Sequence, residues 1–238
     1  MKPLVLSALL LLSLGACQKE KDVQPTPAFQ TEYAEWYALR APDDRAIEAV
    51  SGNLDGTLVI STAFHIYQTK DRGKTWKQGN YPSSIGVMGF AQIQDTLLAL
   101  TGQVNTAPNT SYATHPSVFS LDEGLTWQRY RNWRREHFDP RVARAVVTTP
   151  SGTEYSLAYK LTPTSPNSTS SYVETVGVNS SAGQQLTLPQ EHQLKTLYLD
   201  KQSRLYVAGS AALCGRREKF AFCGEQNGVL YVSKKPQP

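Results

Sequence analysis

From about residue 31 onward the chain is a succession of short apolar runs with polar residues between them, each bounded by Gly, Asn, Asp or Pro. Leu58-Val59-Ile60 follows Asp55-Gly56-Thr57, and Leu97-Leu98-Ala99-Leu100 follows Gln94-Asp95-Thr96. Val, Ile, Leu, Tyr and Thr alternate with polar positions, and no stretch keeps a 3.6-residue period over several turns. That pattern predicts an all-β chain of many short strands.

The runs also repeat. D-x-G-x-T-W occurs in TKDRGKTW, Thr69 to Trp76, and in SLDEGLTW, Ser120 to Trp127, with the aspartates 51 residues apart (122 − 71). Each copy follows a turn and an apolar strand, so the repeating unit is larger than the motif. A third unit opens at Ser151-Gly152-Thr153 and carries Ser181-Ala182-Gly183 at the motif position, with Ser181, Gln185 and Leu186 standing for Asp, Thr and Trp. A fourth opens at Leu197, resumes at Asn227 to Ser233, and has no motif hairpin of its own. Four-stranded units at periods of about 40 to 50 residues are the signature of a β-propeller. The incomplete fourth unit and the unassigned strand-like segment Thr31 to Leu39 predict a ring of four blades of four antiparallel strands, closed by the N-terminal strand.

The motif residues have structural tasks available. Gly73 and Gly124 suit a turn with positive φ. Asp71 and Asp122 can accept N–H groups across the turn, and Thr75 and Thr126 can bond locally. Trp76 and Trp127 can pack between neighbouring sheets. Both copies resemble the Asp-box (BNR-type) repeats, S/T-x-D-x-G-x-T-W, found in bacterial sialidases, sortilin-type receptors and photosystem assembly factors. The resemblance implies a propeller over residues 31–238 with these hairpins at its periphery, away from a central pocket. It does not imply one activity, because unrelated functions share the repeat.

The start of the chain differs. Lys2, an apolar run from Leu4 to Leu14, and Gly15-Ala16 before Cys17 form a signal peptide, too short for a comfortable membrane span. Leu14-Gly15-Ala16-Cys17 resembles the bacterial lipobox, which implies acylation of Cys17 after removal of residues 1–16. The other reading is an ordinary secretory signal with a chance cysteine. Residues 17–30 are polar, charged and proline-interrupted, as in a flexible tether. Gln18 is not the aspartate of a common inner-membrane retention signal, and the charged residues Lys19 to Asp22 resemble short surface-export signals. The expected address is therefore the cell envelope: outer membrane, with surface exposure a further step.

Removing residues 1–16 from 238 leaves 222, enough for one sizeable core. The net charge of +4 becomes +3 without Lys2, which gives no reason to invoke nucleic acid. Cys214 and Cys223, in a glycine-bounded loop, read as a disulfide in an oxidising compartment, whereas neither C-x-x-C spacing nor a nearby histidine supports a redox pair or metal site.

Candidate chemistry is sparse. A sialidase needs an arginine triad, a Tyr–Glu pair and an aspartate acid, and resembles a six-bladed ring; here Arg40-Ala41-Pro42 replaces the usual Arg-Ile-Pro, and no residue can be carried over. Asp43 and Asp44 read as a solvated loop. His65, His115, His137 and His192 lack metal spacing and read as surface or loop residues, and no cofactor motif appears. One segment is compositionally distinct: Arg129, Arg131, Arg134, Arg135 and Arg141 interleaved with Tyr130, Trp133 and Phe138. Arg129, Arg131, Trp133, Arg134 and Arg135 are candidates for gripping an anionic or glycan ligand or a protein partner. A solvated loop paired to Glu136 and Asp139 is the alternative. The insertions Gln103 to Pro116 and Leu161 to Ser171 are candidates by position. The expectation is a lipid-anchored, non-catalytic binding or assembly scaffold with a protein or glycan partner and no cofactor; the alternative is a sialidase-like carbohydrate-active or carbohydrate-binding protein.

Overall fold

A computed structural model of the chain describes residues 30–107, 110–131 and 140–238. Cys17, the expected signal peptide, the expected tether up to residue 29, and Trp133, Arg134, Arg135 and His137 lie outside the described residues. Two strands open the described chain, β1 (Gln30–Glu32) and β2 (Trp36–Arg40). Blade 1 follows with β3 (Ala49–Gly52), β4 (Leu58–Ser61), β5 (Ile66–Thr69) and β6 (Lys77–Gln78). Blade 2 comprises β7 (Gly89–Ile93), β8 (Thr96–Ala107), β9 (Thr110–Ser120) and β10 (Gln128–Arg129), and β11 (Val142–Ala143) adds to β9. Blade 3 comprises β12 (Val146–Thr148), β13 (Glu154–Pro163), β14 (Ser171–Ser180) and β15 (Gln185–Leu186). Blade 4 takes β16 (Leu194–Leu199), β17 (Leu205–Gly209) and, after the small hairpin β18 (Leu213–Gly215) and β19 (Ala221–Phe222), β20 (Val229–Ser233). The result is a four-bladed, all-β propeller without an α-helix among the described residues.

The ring closes as the incomplete fourth unit predicts. β2 is the outer partner of β20, in a register running from Trp36 opposite Ser233 to Arg40 opposite Val229. Leu39 is fully buried, with Trp36 and Ala38 nearly so, and the Trp36 indole N–H donates to Thr187 O at 3.2 Å in the link from blade 3. The chain thus knots its own edge into the sheet it would otherwise leave open.

Core packing lies between the blades. Leu39, Ile47, Leu58, Ile60, Tyr206 and Leu230 join blades 4 and 1, and Val59, Ile66, Phe90, Ala99 and Trp127 join blades 1 and 2. Because antiparallel strands reverse at every turn, the first and third turns of each blade share one face of the ring. The second turn and the link to the next blade share the other. The D-x-G-x-T-W hairpins lie on the first, the motif face. The extended β8–β9 and β13–β14 hairpins and the β17–β20 connection lie on the second, the loop face, so both long insertions project from one side.

Candidate functional site

The two motif hairpins have the same internal geometry. The Thr69 hydroxyl donates to Asp71 Oδ1 at 2.8 Å while accepting the Gly73 N–H at 3.0 Å. Asp71 then accepts the Thr75 N–H at 2.9 Å and the Thr75 hydroxyl at 2.6 Å. Ser120, Asp122, Gly124 and Thr126 reproduce these bonds at 2.8, 2.8, 2.8 and 2.6 Å. Gly73 and Gly124 have φ of 81° and 95°. Burial pushes both carboxyls up, but hydrogen bonds from the following threonine's hydroxyl and amide, and from Thr69 or Ser120, outweigh it and hold them below the usual carboxylate range.

A depressed folded-state value gives stability that is complete above the unfolded value of about 4 and is lost as pH falls through the lower folded value. Urea midpoints measured from pH 6 to pH 2 should therefore drop below about pH 4. That drop should be smaller in the double variant Asp71→Asn, Asp122→Asn.

Each hairpin grips the preceding blade. A Cβ on Gly73 would run into Leu39 of blade 4, and one on Gly124 would lie 3.1 Å from Val59 of blade 1. The Gln68 side chain donates to Glu123 O at 2.9 Å, and Arg72 sits over the Tyr37 ring at 4.7 Å. Trp127 stacks on Phe90 with its N–H on Gly124 O at 2.8 Å, and Trp76 packs at the edge of the blade 4–blade 1 core. The Asp, Thr and Ser side chains thus order each hairpin, while its glycine, tryptophan and flanking residues seat it between the blades. The third hairpin keeps Gly183 at φ 81° and puts Leu186 against the core, but it is shorter. Ser181 does not act as the aspartate there; its hydroxyl accepts the Glu154 N–H at 3.0 Å.

On the loop face each blade sends one polar side chain to the ring axis. Arg144 of blade 3, only 9% exposed, donates to Glu48 Oε2 of blade 1 at 2.7 Å and to Gln103 Oε1 of blade 2 at 2.6 Å, while Lys195 of blade 4 lies 3.4 Å from Glu48 Oε1. The one carboxylate is shared by two cations, and the set ties all four blades together. No local spacing marks this set, whose members lie in four different repeats.

Asp43 is not the solvated loop residue that its APDDR setting suggests. Its Oδ2 accepts the Thr62 hydroxyl at 2.6 Å and the Tyr67 hydroxyl at 3.2 Å, and lies 2.9 Å from His65 Nδ1. Three residues of blade 1 thereby fix the link that enters that blade. His192 also departs from the surface reading, at 3% exposure. Its Nδ1 lies 2.8 Å from Ser210 O and its Nε2 2.9 Å from the Tyr231 hydroxyl. Burial lowers its pKa, so the neutral ring donates through Nδ1–H and accepts the tyrosine proton at Nε2. His115 is exposed, at φ 62°.

Cys214 and Cys223 form a disulfide within the β17–β20 connection. It pins a turn in which Arg217, at φ 56°, and Arg216 reach Glu174 of blade 3 at 2.6 and 3.7 Å. A groove of about 740 Å³ lies there, between β14, the 187–192 link and these arginines. Arg129 and Arg131 are exposed beside the outer strand of blade 2. Among the described residues no group of three His, Cys, Asp or Glu side chains is placed to hold a metal ion. No protein-family model matches the chain, and neither does any curated protein.

Proposed function

We propose that the protein is a lipid-anchored, Asp-box-type propeller of the bacterial envelope, held through Cys17, and that it works as a non-catalytic binding or assembly scaffold. The observation that carries the reading is the placement of exposed apolar side chains. Among the described residues, Phe64, Ile85, Val104, Leu161, Tyr172, Val173, Val176 and Phe220 all belong to loop-face turns, links or extended hairpins, and Leu121 alone belongs to the motif face. Large apolar side chains gathered on one face mark an interaction surface. On that face Glu48, Arg144 and Lys195 are already paired with one another, which suits a rigid platform better than an open substrate pocket.

Chemical cross-linking in the native envelope tests this. The wild-type chain should fractionate with membranes and give a discrete cross-linked species; Cys17→Ser should move to the soluble fraction and lose it. Arg129→Ala with Arg131→Ala should weaken that cross-link if the arginine segment contributes. Glycan binding by purified protein, with no envelope cross-link, would replace the scaffold by a carbohydrate-binding reading.

A further inference from the structure

Blades 2 and 3 share a design with one difference. Both carry a second hairpin that runs well beyond the blade, and both have an outer strand of only two residues, pairing with Val118 and Phe119 in blade 2 and with Val178 and Asn179 in blade 3. In blade 2 the rest of the outer edge is covered by β11, Val142 opposite Ala113 and Ala143 opposite Tyr112. In blade 3 the matching edge of β14, Ser171 to Gly177, pairs with no strand among the described residues.

Its outward backbone groups are met by side chains instead. The Gln193 amide donates to Val173 O at 3.3 Å and accepts the Thr175 N–H at 3.3 Å, the pair of bonds one residue of a parallel neighbouring strand would make. Arg216 donates to Thr175 O at 3.3 Å. These bonds sit at the long end of the useful range. Unpaired strand edges are templates for strand addition, and here the edge is capped by side-chain bonds rather than by a strand.

The groove beside this edge has a definite chemistry. Leu186, Leu188 and Pro189 form an apolar floor, and Lys160, Arg216 and Arg217 bring three cations against Glu174 and Glu191. Glu191 is 73% exposed and bonded to Arg216 at 3.2 Å, an exposed pair that an incoming carboxylate can replace at little cost. The disulfide turn holds both arginines in place, Arg217 in a left-handed conformation that is strained for a non-glycine residue.

We infer that the β14 edge of blade 3 is a docking site for an extended acidic peptide segment of a partner protein. It adds as an outer strand where Gln193 now caps the edge, with its carboxylates on Arg216, Arg217 and Lys160. At about 3.3 Å per residue the edge from Ser171 to Gly177 accommodates a segment of about six residues, whose alternate side chains face the apolar floor. The inference rests on the scaffold reading and assigns that scaffold a partner class and a site.

The test uses an end-capped, fluorescein-labelled peptide of alternating Glu and Val, seven residues long, with the mature protein. Anisotropy should show saturable binding, at least tenfold weaker when Lys replaces Glu or when alternate peptide nitrogens are methylated. Gln193→Ala should bind severalfold more tightly, and Arg216→Glu with Arg217→Glu at least tenfold more weakly. Hydrogen exchange over residues 171–177 should slow on binding, a readout that does not depend on how the arginine variant folds. Absence of binding, equal binding of the methylated peptide, or unchanged exchange over 171–177 would overturn the proposal. So would binding only by a chain that starts at Gln30, since residues 17–29 would then be the occupant. An envelope cross-link that persists without peptide binding removes this site and leaves the scaffold standing.

Discussion

A chain that begins at Ala41 should show no cooperative unfolding transition in urea, whereas the same chain begun at Gln30 should unfold in a single step. The difference is β2. Without it the whole outer edge of β20 is bare, and the pockets that hold Leu39 and Trp36 open to water. Burial of two such side chains contributes about 3 to 6 kcal/mol, and the ladder bonds along Trp36 to Arg40 add about 1 kcal/mol each. Together these approach the whole net stability of a typical domain, about 5 to 15 kcal/mol. Leu39 is also the surface on which Gly73 packs, so losing it loosens the first motif hairpin as well. Leu39→Ala alone should cost about 2 to 5 kcal/mol. A cooperative transition of near-normal midpoint in the chain begun at Ala41 would mean that β20 does not need this closure.

Asp200→Ala should be the most damaging single substitution on the motif face. The Asp200 side chain is fully buried and accepts the N–H groups of Gln202 and Arg204 at 2.9 Å each, the Arg204 Nε–H at 2.8 Å and the Tyr206 hydroxyl at 2.9 Å. The Tyr206 oxygen in turn accepts the Leu54 N–H of blade 1 at 2.8 Å, and Arg204 reaches Asp55 at 2.6 Å, so the network joins the last blade to the first. Removing the carboxylate leaves a guanidinium that is 9% exposed with only the solvent-facing Asp55 beside it. Breaking a buried pair from one side costs about 3 to 5 kcal/mol. Urea denaturation at pH 7 measures it; a loss below about 1 kcal/mol would show that the network is dispensable.

The ring was readable from the sequence because its information is local and repeated. An incomplete fourth unit and an apolar strand without a unit are both visible on the page of residues, and together they specify closure. The disulfide was readable for the same reason, from two cysteines in one short loop. The third hairpin was readable only in outline: Gly183 and Leu186 keep their tasks, but a shorter turn gives Ser181 another partner. What could not be read is what four distant repeats bring together. Glu48, Gln103, Arg144 and Lys195 meet on the axis although nothing near any of them in sequence points there. Asp43 looked solvated because its partners Thr62, His65 and Tyr67 lie in the next blade, and His192 looked peripheral because its tyrosine partner is 39 residues away. The β14 edge that side chains rather than a strand cover is likewise a property of pairing, invisible until β11 is seen on the equivalent edge of blade 2.

We propose that the loop face carries recognition while the motif face holds the ring together. Photo-cross-linking amino acids placed one at a time at Phe64, Phe220 and Leu121, all exposed, compare the two faces directly in the native envelope. Discrete cross-linked species from Phe64 or Phe220, and none from Leu121, are the predicted result. Cross-links from Leu121 alone, or from no position in a membrane-bound and folded protein, would contradict it.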